Sequence, residues 1–146
     1  MVGYMVTWTT YGSWLQGDQR GYVKDGKILG GDRKLTGTCV NLQKSPPVTL
    51  DKEERVIVRR AILAEAARNG HKVRGLAVCS NHVHLVAEPY RESIEEIVSR
   101  YKNAGMFALR KCGRIGRIWT RGFDKRFCFS EEELLRRTKY VQQHGD

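Results

Sequence analysis

Two histidines in one short stretch carry the first chemical signal in this sequence. His82 and His84 lie in the run Asn81-His-Val-His-Leu-Val, whose alternation is typical of a β-strand. Because side chains alternate between the faces of a strand, both imidazoles project from the same side, about 7 Å apart. Two imidazoles placed in this way can bind one metal ion. The other interpretation is a pair of ordinary surface histidines, since two ligands do not make a site.

A tyrosine and a histidine near the end of the chain give the second signal. Tyr140 and His144 are four residues apart in a segment with helical periodicity, so they share one face of the helix. The apolar stripe of that helix passes through Leu134, Thr138 and Val141, well away from the tyrosine. A tyrosine used for packing would lie on the stripe, so Tyr140 is a candidate for chemistry. The alternative is a surface tyrosine near a frayed terminus.

Basic residues outnumber acidic ones in this chain. Its 146 residues include 26 Lys and Arg against 16 Asp and Glu, a formal net charge of +10. This excess favours a polyanionic partner, either nucleic acid or an anionic surface, and solubility is the plain alternative. The candidate phosphate contacts are Arg136, Arg137, Arg100 and Lys102.

The composition predicts one globular domain over residues 1–146. Hydrophobic residues make up 40% and charged residues 29%, which is typical of a folded soluble protein. No apolar run reaches the roughly 20 residues of a membrane helix and no secretory signal is present, so we expect a cytosolic location. The cysteines lack any CxxC spacing, which predicts reduced thiols. They are Cys39, Cys79, Cys112 and Cys128.

Seven elements are predicted to position these residues. In order they are strand 2–10, helix 49–69, strands 71–79 and 82–88, a helix from residue 93, a strand within 118–129, and a tyrosine-bearing helix in 130–146. Capping boxes are predicted at Ser93 with Glu96 and at Ser130 with Glu133. We expect the first helix to bury Val56, Leu63, Ala66 and Ala67, and the second to bury Ile94, Ile97, Val98, Tyr101, Ala104 and Ala108.

This order predicts an α+β, ferredoxin-like fold, in which helices pack on an antiparallel sheet. A glycine-rich insertion, residues 11–48, follows the first strand, with a short hairpin expected around Asp25-Gly26. Trp14 and Tyr22 in this insertion are candidates for stacking on unpaired bases. For Trp14 we prefer the other interpretation, a core position beneath the loop.

At several places the sequence resembles the single-tyrosine HUH transposases, the enzymes of the smallest bacterial insertion sequences and their REP-associated relatives. Asn81-His-Val-His-Leu-Val resembles the HUH motif of that family (His, bulky hydrophobic, His). The run Ile118-Trp119-Thr120-Arg121-Gly122-Phe123 and the helix carrying Arg136-Arg137 and Tyr140-Val141 resemble its Trp-Ser-x-Gly-Tyr/Phe stretch and its tyrosine helix. Less specifically, residues 6–11 resemble its first strand.

The resemblance implies a divalent metal and the cleavage and rejoining of single-stranded DNA with hairpin ends, through a 5′-phosphotyrosine intermediate. It makes His82 and His84 metal ligands and Tyr140 the nucleophile. Members of the family carry Gln or Asn four positions after the tyrosine, where this chain has His144. The implied ion is Mg²⁺ or Mn²⁺, with Zn²⁺ also open, because three nitrogen ligands suit Mn²⁺ or Zn²⁺ better than Mg²⁺.

Two other functions fit the same residues. One is a domesticated hairpin-DNA-binding protein on this fold, with catalysis lost, which the absence of the family's glutamine would explain. The other is a metal-dependent hydrolase of a small phosphorylated molecule, which would leave the positive charge without a role. The resemblance also leaves a homodimer open, since insertion-sequence relatives work as dimers and REP-associated relatives can act alone. In either case we expect the protein in the cytoplasm, at the nucleoid.

Overall fold

The computed structural model describes residues 1–13 and 47–144. Most of the glycine-rich insertion, with its expected hairpin and both Trp14 and Tyr22, lies outside the described residues. The elements follow the predicted order: β1 Gly3–Thr9, α1 Lys52–Asn69, β2 Val73–Val78, β3 His82–Ala87, α2 Ile94–Lys111, β4 Asp124–Cys128 and α3 Glu131–Gln143. None of the described helices is both long enough and apolar enough to cross a membrane.

The four strands form one antiparallel sheet in the order β2-β3-β1-β4. Two antiparallel central strands, β1 and β3, flanked by β2 and β4, are the arrangement of a ferredoxin-like core, so the predicted fold class is confirmed. The register of the central pair places Thr7 opposite His84 and Thr9 opposite His82. This pairing decides which side chains of β1 can contact the two histidines.

The sheet separates two layers of helix. Along β1, Tyr4 and Trp8 belong to the large core that α1 and α2 cover. Met5 belongs to a smaller core on the other face, which α3 covers with Leu134 and Val141. His82 and His84 alternate with Val83 and Leu85 of the large core, so they project toward α3.

The N-terminal caps of α2 and α3 differ in one hydrogen bond. Ser93 and Glu96 form the complete capping box that was predicted for α2. At α3 the Ser130 hydroxyl accepts a hydrogen bond from the Glu133 N–H, as predicted. The Glu133 carboxylate, however, accepts from the N–H of Phe129, so the second half of the expected box is wrong by one residue.

The buried face of α1 is the element-level prediction that fails. Of the four residues expected in the core only Ala66 is buried, and the helix instead buries Val58 and Ile62. The other three, Val56, Leu63 and Ala67, are exposed. Apolar residues occur around most of this helix, so their spacing alone does not select a face. Contact with α2 selects it, since the Val58 side chain lies against Gly105.

The buried stripe predicted for α2 is confirmed in the first half of the helix. In the second half, different residues are buried. Ile97, Val98 and Tyr101 are buried, and the stripe then continues through Gly105 and Leu109. The remaining expected residues, Ile94, Ala104 and Ala108, are only partly buried. Gly105 allows α1 and α2 to approach closely, because a Cβ at that position would lie 3.3 Å from Val58 and from Trp119.

The strand predicted within 118–129 is present as β4, Asp124–Cys128, and residues 118–123 before it form a braced loop. Trp119 forms an isolated antiparallel bridge with Thr10. Its indole N–H donates to the carbonyl of Lys102 at 2.9 Å. The Lys102 ammonium in turn donates to the carbonyls of Thr120 and Gly122 at 2.9 and 2.8 Å. These contacts fix the loop against α2.

Candidate active site

Three imidazoles meet where the start of β3 faces the end of α3. The ring centroids of His82 and His84 are 4.8 Å apart, and that of His144 lies 5.2 Å from the first and 4.6 Å from the second. The Nε2 atoms of His82 and His144 are separated by 3.1 Å. The structure therefore brings the ring of His144 to the two histidines of β3, although His144 is 62 residues from His82 in the sequence.

Neighbouring polar side chains orient both histidines of the strand. The Nδ1 atom of His82 is 2.8 Å from the side-chain amide oxygen of Asn81, and that of His84 is 2.8 Å from the hydroxyl of Thr7. The amide oxygen can only accept, so His82 donates its Nδ1–H and keeps the lone pair on Nε2 for a ligand bond. The Thr7 hydroxyl, which can donate or accept, holds the orientation of the His84 ring.

Burial is the main reason why the rings of His82 and His84 are neutral at neutral pH. Burial, followed by the charges of the nearby His82 and His144, lowers the pKa of His84 to about 4. Burial, followed by the charge of His144, also lowers the pKa of His82. Neutral imidazole is the form that coordinates a cation, so at neutral pH the pair needs to lose no proton before binding.

Tyr140 stands beside this cluster. Its ring centroid is 5.1 Å from that of His144 and 5.8 Å from that of His84. Leu134, Thr138 and Val141 fill the buried stripe of α3, as predicted. Tyr140 is 49% exposed, so its phenol combines proximity to the imidazoles with access from solvent.

Cys79 is a candidate ligand that the sequence analysis missed. Its sulfur and one ring nitrogen each of His82 and His144 lie within 4.8 Å of one another. The turn between the strands creates this proximity, because the Cys79 N–H donates to the carbonyl of His82 at 2.8 Å. The sequence did hold the signal: a two-residue hairpin turn pairs the residue before it with the residue after it. CxxC spacing alone does not reveal such a pair.

The donors present fit a divalent transition metal. Two ligand nitrogens on a tetrahedral ion with bonds near 2.0–2.1 Å are separated by about 3.3 Å, close to the 3.1 Å between His82 and His144. Nitrogen and sulfur donors suit Zn²⁺, and imidazoles also suit Mn²⁺. Mg²⁺ prefers oxygen ligands, and no carboxylate joins this group within residues 1–13 and 47–144.

The four basic residues predicted to contact DNA differ in how much of their charge is available. The Arg136 side chain is 65% exposed and lies 3.7 Å from Glu132, one turn back along α3. Arg137 is partly buried, and its charge lowers the pKa of the Cys128 thiol against the larger, opposite effect of burial. Neither contact involves the imidazoles.

The other two, on α2, are committed to contacts within the fold. Arg100 forms an ion pair with Glu92 at 2.6 Å, and Glu65 lies 3.7 Å away. Lys102 holds two loop carbonyls, and burial lowers the pKa of its ammonium. Both belong to the helix layer on the face of the sheet opposite α3, so the structure does not bring them to the cluster.

Comparison with known proteins gives a match in structure alone. No protein-family model and no curated protein matches the sequence. One similar solved structure is a REP-associated tyrosine transposase bound to a REP hairpin. It has a TM-score of 0.53 and 12% identity over 96% of this chain, and this chain spans 64% of its length. This chain shares the fold of that transposase.

A second solved structure is also similar to this chain in fold. A candidate transposase from Deinococcus radiodurans R1 superposes with a TM-score of 0.50 and 15% identity, over 99% of this chain and 91% of its own. The resemblance found in the sequence is therefore matched by transposase neighbours in structure. At these identities the comparison concerns the fold, and the functions of the site residues have to be argued from their own geometry.

Proposed function

We propose that this chain is one domain, residues 1–146, that cleaves and rejoins single-stranded DNA through Tyr140. The observation that carries the proposal is a half-exposed phenol whose ring lies 5.8 Å from His84 and 5.1 Å from His144. The shared fold supports it, as does the hairpin-bound state of one structural neighbour. The net charge of +10 suits a DNA substrate with hairpin ends. Such a protein would work in the cytoplasm, at the nucleoid.

The reaction exchanges one phosphodiester bond for another. The phenolic oxygen of Tyr140 attacks phosphorus as the bond from phosphorus to the 3′ oxygen breaks. The phenol proton passes to solvent and the leaving oxygen takes up a proton, which gives a 5′-phosphotyrosine and a 3′-hydroxyl. Because the new bond stores the energy of the old one, attack by a 3′-hydroxyl on the phosphotyrosine rejoins DNA without an external energy source.

The imidazoles position the phosphate for this attack. His82, His84 and His144 would hold a divalent ion that polarises and orients the phosphate oxygens. Asn81 and Thr7 orient the two strand rings by their hydrogen bonds. Since the tyrosine and the histidines meet within one chain, a second subunit is not needed to complete the site.

An adduct assay tests the role of Tyr140. The protein is incubated with labelled single-stranded DNA from the ends of its own genetic element, with Mn²⁺, Mg²⁺ or Zn²⁺, and separated on a denaturing gel. We expect a covalent protein–DNA band from the wild type and none from Tyr140→Phe. Tyr90→Phe, which removes a phenol in the other helix layer, should retain the band. Equal adduct from Tyr140→Phe and the wild type would contradict the proposal.

A binding protein without catalysis is the second candidate, and Cys79 is the observation that favours it. An ion held by Cys79 and all three imidazoles would have four protein ligands, as in structural zinc sites, with no position open for a phosphate. Hairpin DNA binding that persists in EDTA, with no adduct under any of the three metals, would identify this function.

A further inference from the structure

The sulfur of Cys79 points toward the end of α3. It lies 3.8 Å from the backbone carbonyl oxygen of His144, to which the thiol donates. It also belongs to the group of ligand atoms, within 4.8 Å of one another, that includes ring nitrogens of His82 and His144. The thiol is buried, with 9% exposure. A buried sulfur next to two imidazole nitrogens is placed as a metal ligand would be.

We propose that Cys79 is a ligand of the metal ion and makes this site selective for Zn²⁺-like ions. The inference rests on the proposed function, because it concerns the same ion: with Cys79, His82 and His144 as its three ligands, the fourth position of a tetrahedral site stays open for a phosphate. On binding, the thiol gives its proton to solvent and a bond forms between sulfur and metal, with no change of oxidation state. Thiolate ligands select soft ions, so Cys79 disfavours Mg²⁺.

Cys79 and His84 are alternative third ligands for a metal ion bound by His82 and His144. Cys79 directly follows β2, and its sulfur lies within 4.8 Å of a ring nitrogen of each histidine. The His84 ring lies 4.6 Å from the ring of His144. A site made of Cys79, His82 and His144 has a nitrogen and sulfur donor set. A site that uses only the imidazoles has nitrogen donors alone. The two sets are distinguishable by spectroscopy, because only the first gives a sulfur-to-metal charge-transfer band.

Cobalt titration of the full chain is the test. Co²⁺ substitutes for Zn²⁺ in tetrahedral sites, and a thiolate ligand adds an intense near-ultraviolet band to its visible absorption. We expect this band in the wild type and its loss in Cys79→Ser. Competition with a chromophoric chelator should show at least about a tenfold weaker Zn²⁺ affinity for the variant. The control is Cys112→Ser, which changes an exposed thiol at the end of α2 and should keep both the band and the affinity.

A second measurement uses the unaltered protein, in case Cys79→Ser does not fold. Alkylation of each cysteine is followed by mass spectrometry with and without Zn²⁺. We expect Zn²⁺ to slow the modification of Cys79 and to leave Cys112 unchanged, whereas Mg²⁺ should protect neither. Visible cobalt absorption without the charge-transfer band, failure of cobalt to bind, or equal alkylation of Cys79 with and without Zn²⁺ would overturn the proposal.

These outcomes are separate from those of the adduct assay. Tyr140→Phe should retain the charge-transfer band, because the phenol is not among the ligand atoms of Cys79, His82 and His144. A band without any adduct would leave Cys79 a ligand and remove the proposed activity. An adduct without the band would leave the activity and remove Cys79 from the ligand set.

Discussion

The hydroxyl of Thr7 acts on the site through His84. Thr7 and His84 face each other on adjacent strands, and the hydroxyl lies 2.8 Å from Nδ1 of the ring. Side chains that hold a ligand's second nitrogen fix its tautomer and orientation, and their loss typically weakens metal binding by 10–100-fold. Thr7 is therefore a positioning residue, although it touches neither metal nor substrate.

Replacing Thr7 by valine should weaken metal binding while preserving the shape of the side chain. We expect Thr7→Val to reduce affinity for Zn²⁺ or Mn²⁺ by about 10–100-fold, because His84 loses the partner that orients its ring. Isothermal titration calorimetry measures this directly. Thr9→Val is the matched control, since the Thr9 hydroxyl donates to the Ser13 carbonyl and not to an imidazole. Equal affinities in both variants would show that Thr7 does not position the ring.

Part of the site could be predicted residue by residue. Alternation along one strand placed His82 and His84 together, and helical spacing placed Tyr140 beside His144 and off the buried stripe. Thr7 could not be predicted in this way, because its contact depends on the register between β1 and β3, which are over 70 residues apart. Spacing within one element predicts shared faces, but not what another element places opposite them.

At the scale of elements, the site depends on how closely α3 lies against the sheet. A Cβ at Gly3 would be 2.5 Å from a methyl group of Leu134 and 2.9 Å from the carbonyl oxygen of Ala87. Only glycine leaves room for α3 here. At Gly75, also beneath α3, an added Cβ would meet Val141 at an ordinary 3.5 Å.

These two glycines give a paired test of that packing. We expect Gly3→Ala to lower the free energy of unfolding by about 1–3 kcal/mol, because the helix must move or the backbone must shift. Gly75→Ala should change it by less than about 0.5 kcal/mol. Urea denaturation monitored by tryptophan fluorescence gives both values. A similar loss in both variants would mean that the space beneath α3 is not limiting near Gly3.

A buried histidine joins three elements on the opposite face of the sheet. The ring of His71 lies between the hydroxyls of Tyr4, at 3.0 Å, and Tyr101, at 2.5 Å. Burial is the main cause that lowers the pKa of His71 below its ordinary value of 6.5. The folded protein therefore binds fewer protons than the unfolded chain below pH 6.5, and its stability falls as the pH falls through that range.

Replacing His71 by glutamine should reduce this dependence on pH. In EDTA, we expect the wild type to lose more free energy of unfolding between pH 7 and pH 5 than His71→Gln does. The amide cannot take up the proton that the unfolded chain binds, although it can still hydrogen-bond both tyrosines. Urea denaturation at the two pH values checks this. Equal losses would show that His71 does not contribute to the acid sensitivity of the fold.

The order of the elements was predictable because each is bounded by a local signal. The Ser93 cap lies where the sequence places it, and Ser80-Asn81 fills the two-residue gap between the predicted strands. Helix α1 ends at residue 69 as predicted, where Gly70 adopts the left-handed conformation with φ 69°. The face of α1 was not predictable, since it is chosen by α2 at the Val58–Gly105 contact. The ends of a helix or strand depend on the residues next to them in the sequence. The face that a helix buries depends on the elements packed against it.

At the scale of the molecule, the positive charge predicts strong dependence of DNA binding on salt. Each neutralised phosphate of a single strand contributes about −0.7 to the slope of log affinity against log salt concentration. About five such contacts would weaken binding about a hundredfold between 50 and 200 mM salt. Fluorescence anisotropy with a labelled hairpin oligonucleotide measures the slope. Affinity that is unchanged over this range would exclude a role for the surplus charge in binding.

Individual arginines should contribute to this slope according to their exposure. Arg136, with a 65% exposed side chain and a single distant carboxylate, can exchange that partner for a phosphate. We expect Arg136→Ala to reduce the slope by about 0.7. Arg100 is held by Glu92 at 2.6 Å, so Arg100→Ala should leave the slope unchanged and lower the melting temperature. The opposite result, with the slope altered only by Arg100→Ala, would place the DNA on the α1 and α2 side of the sheet, away from Tyr140.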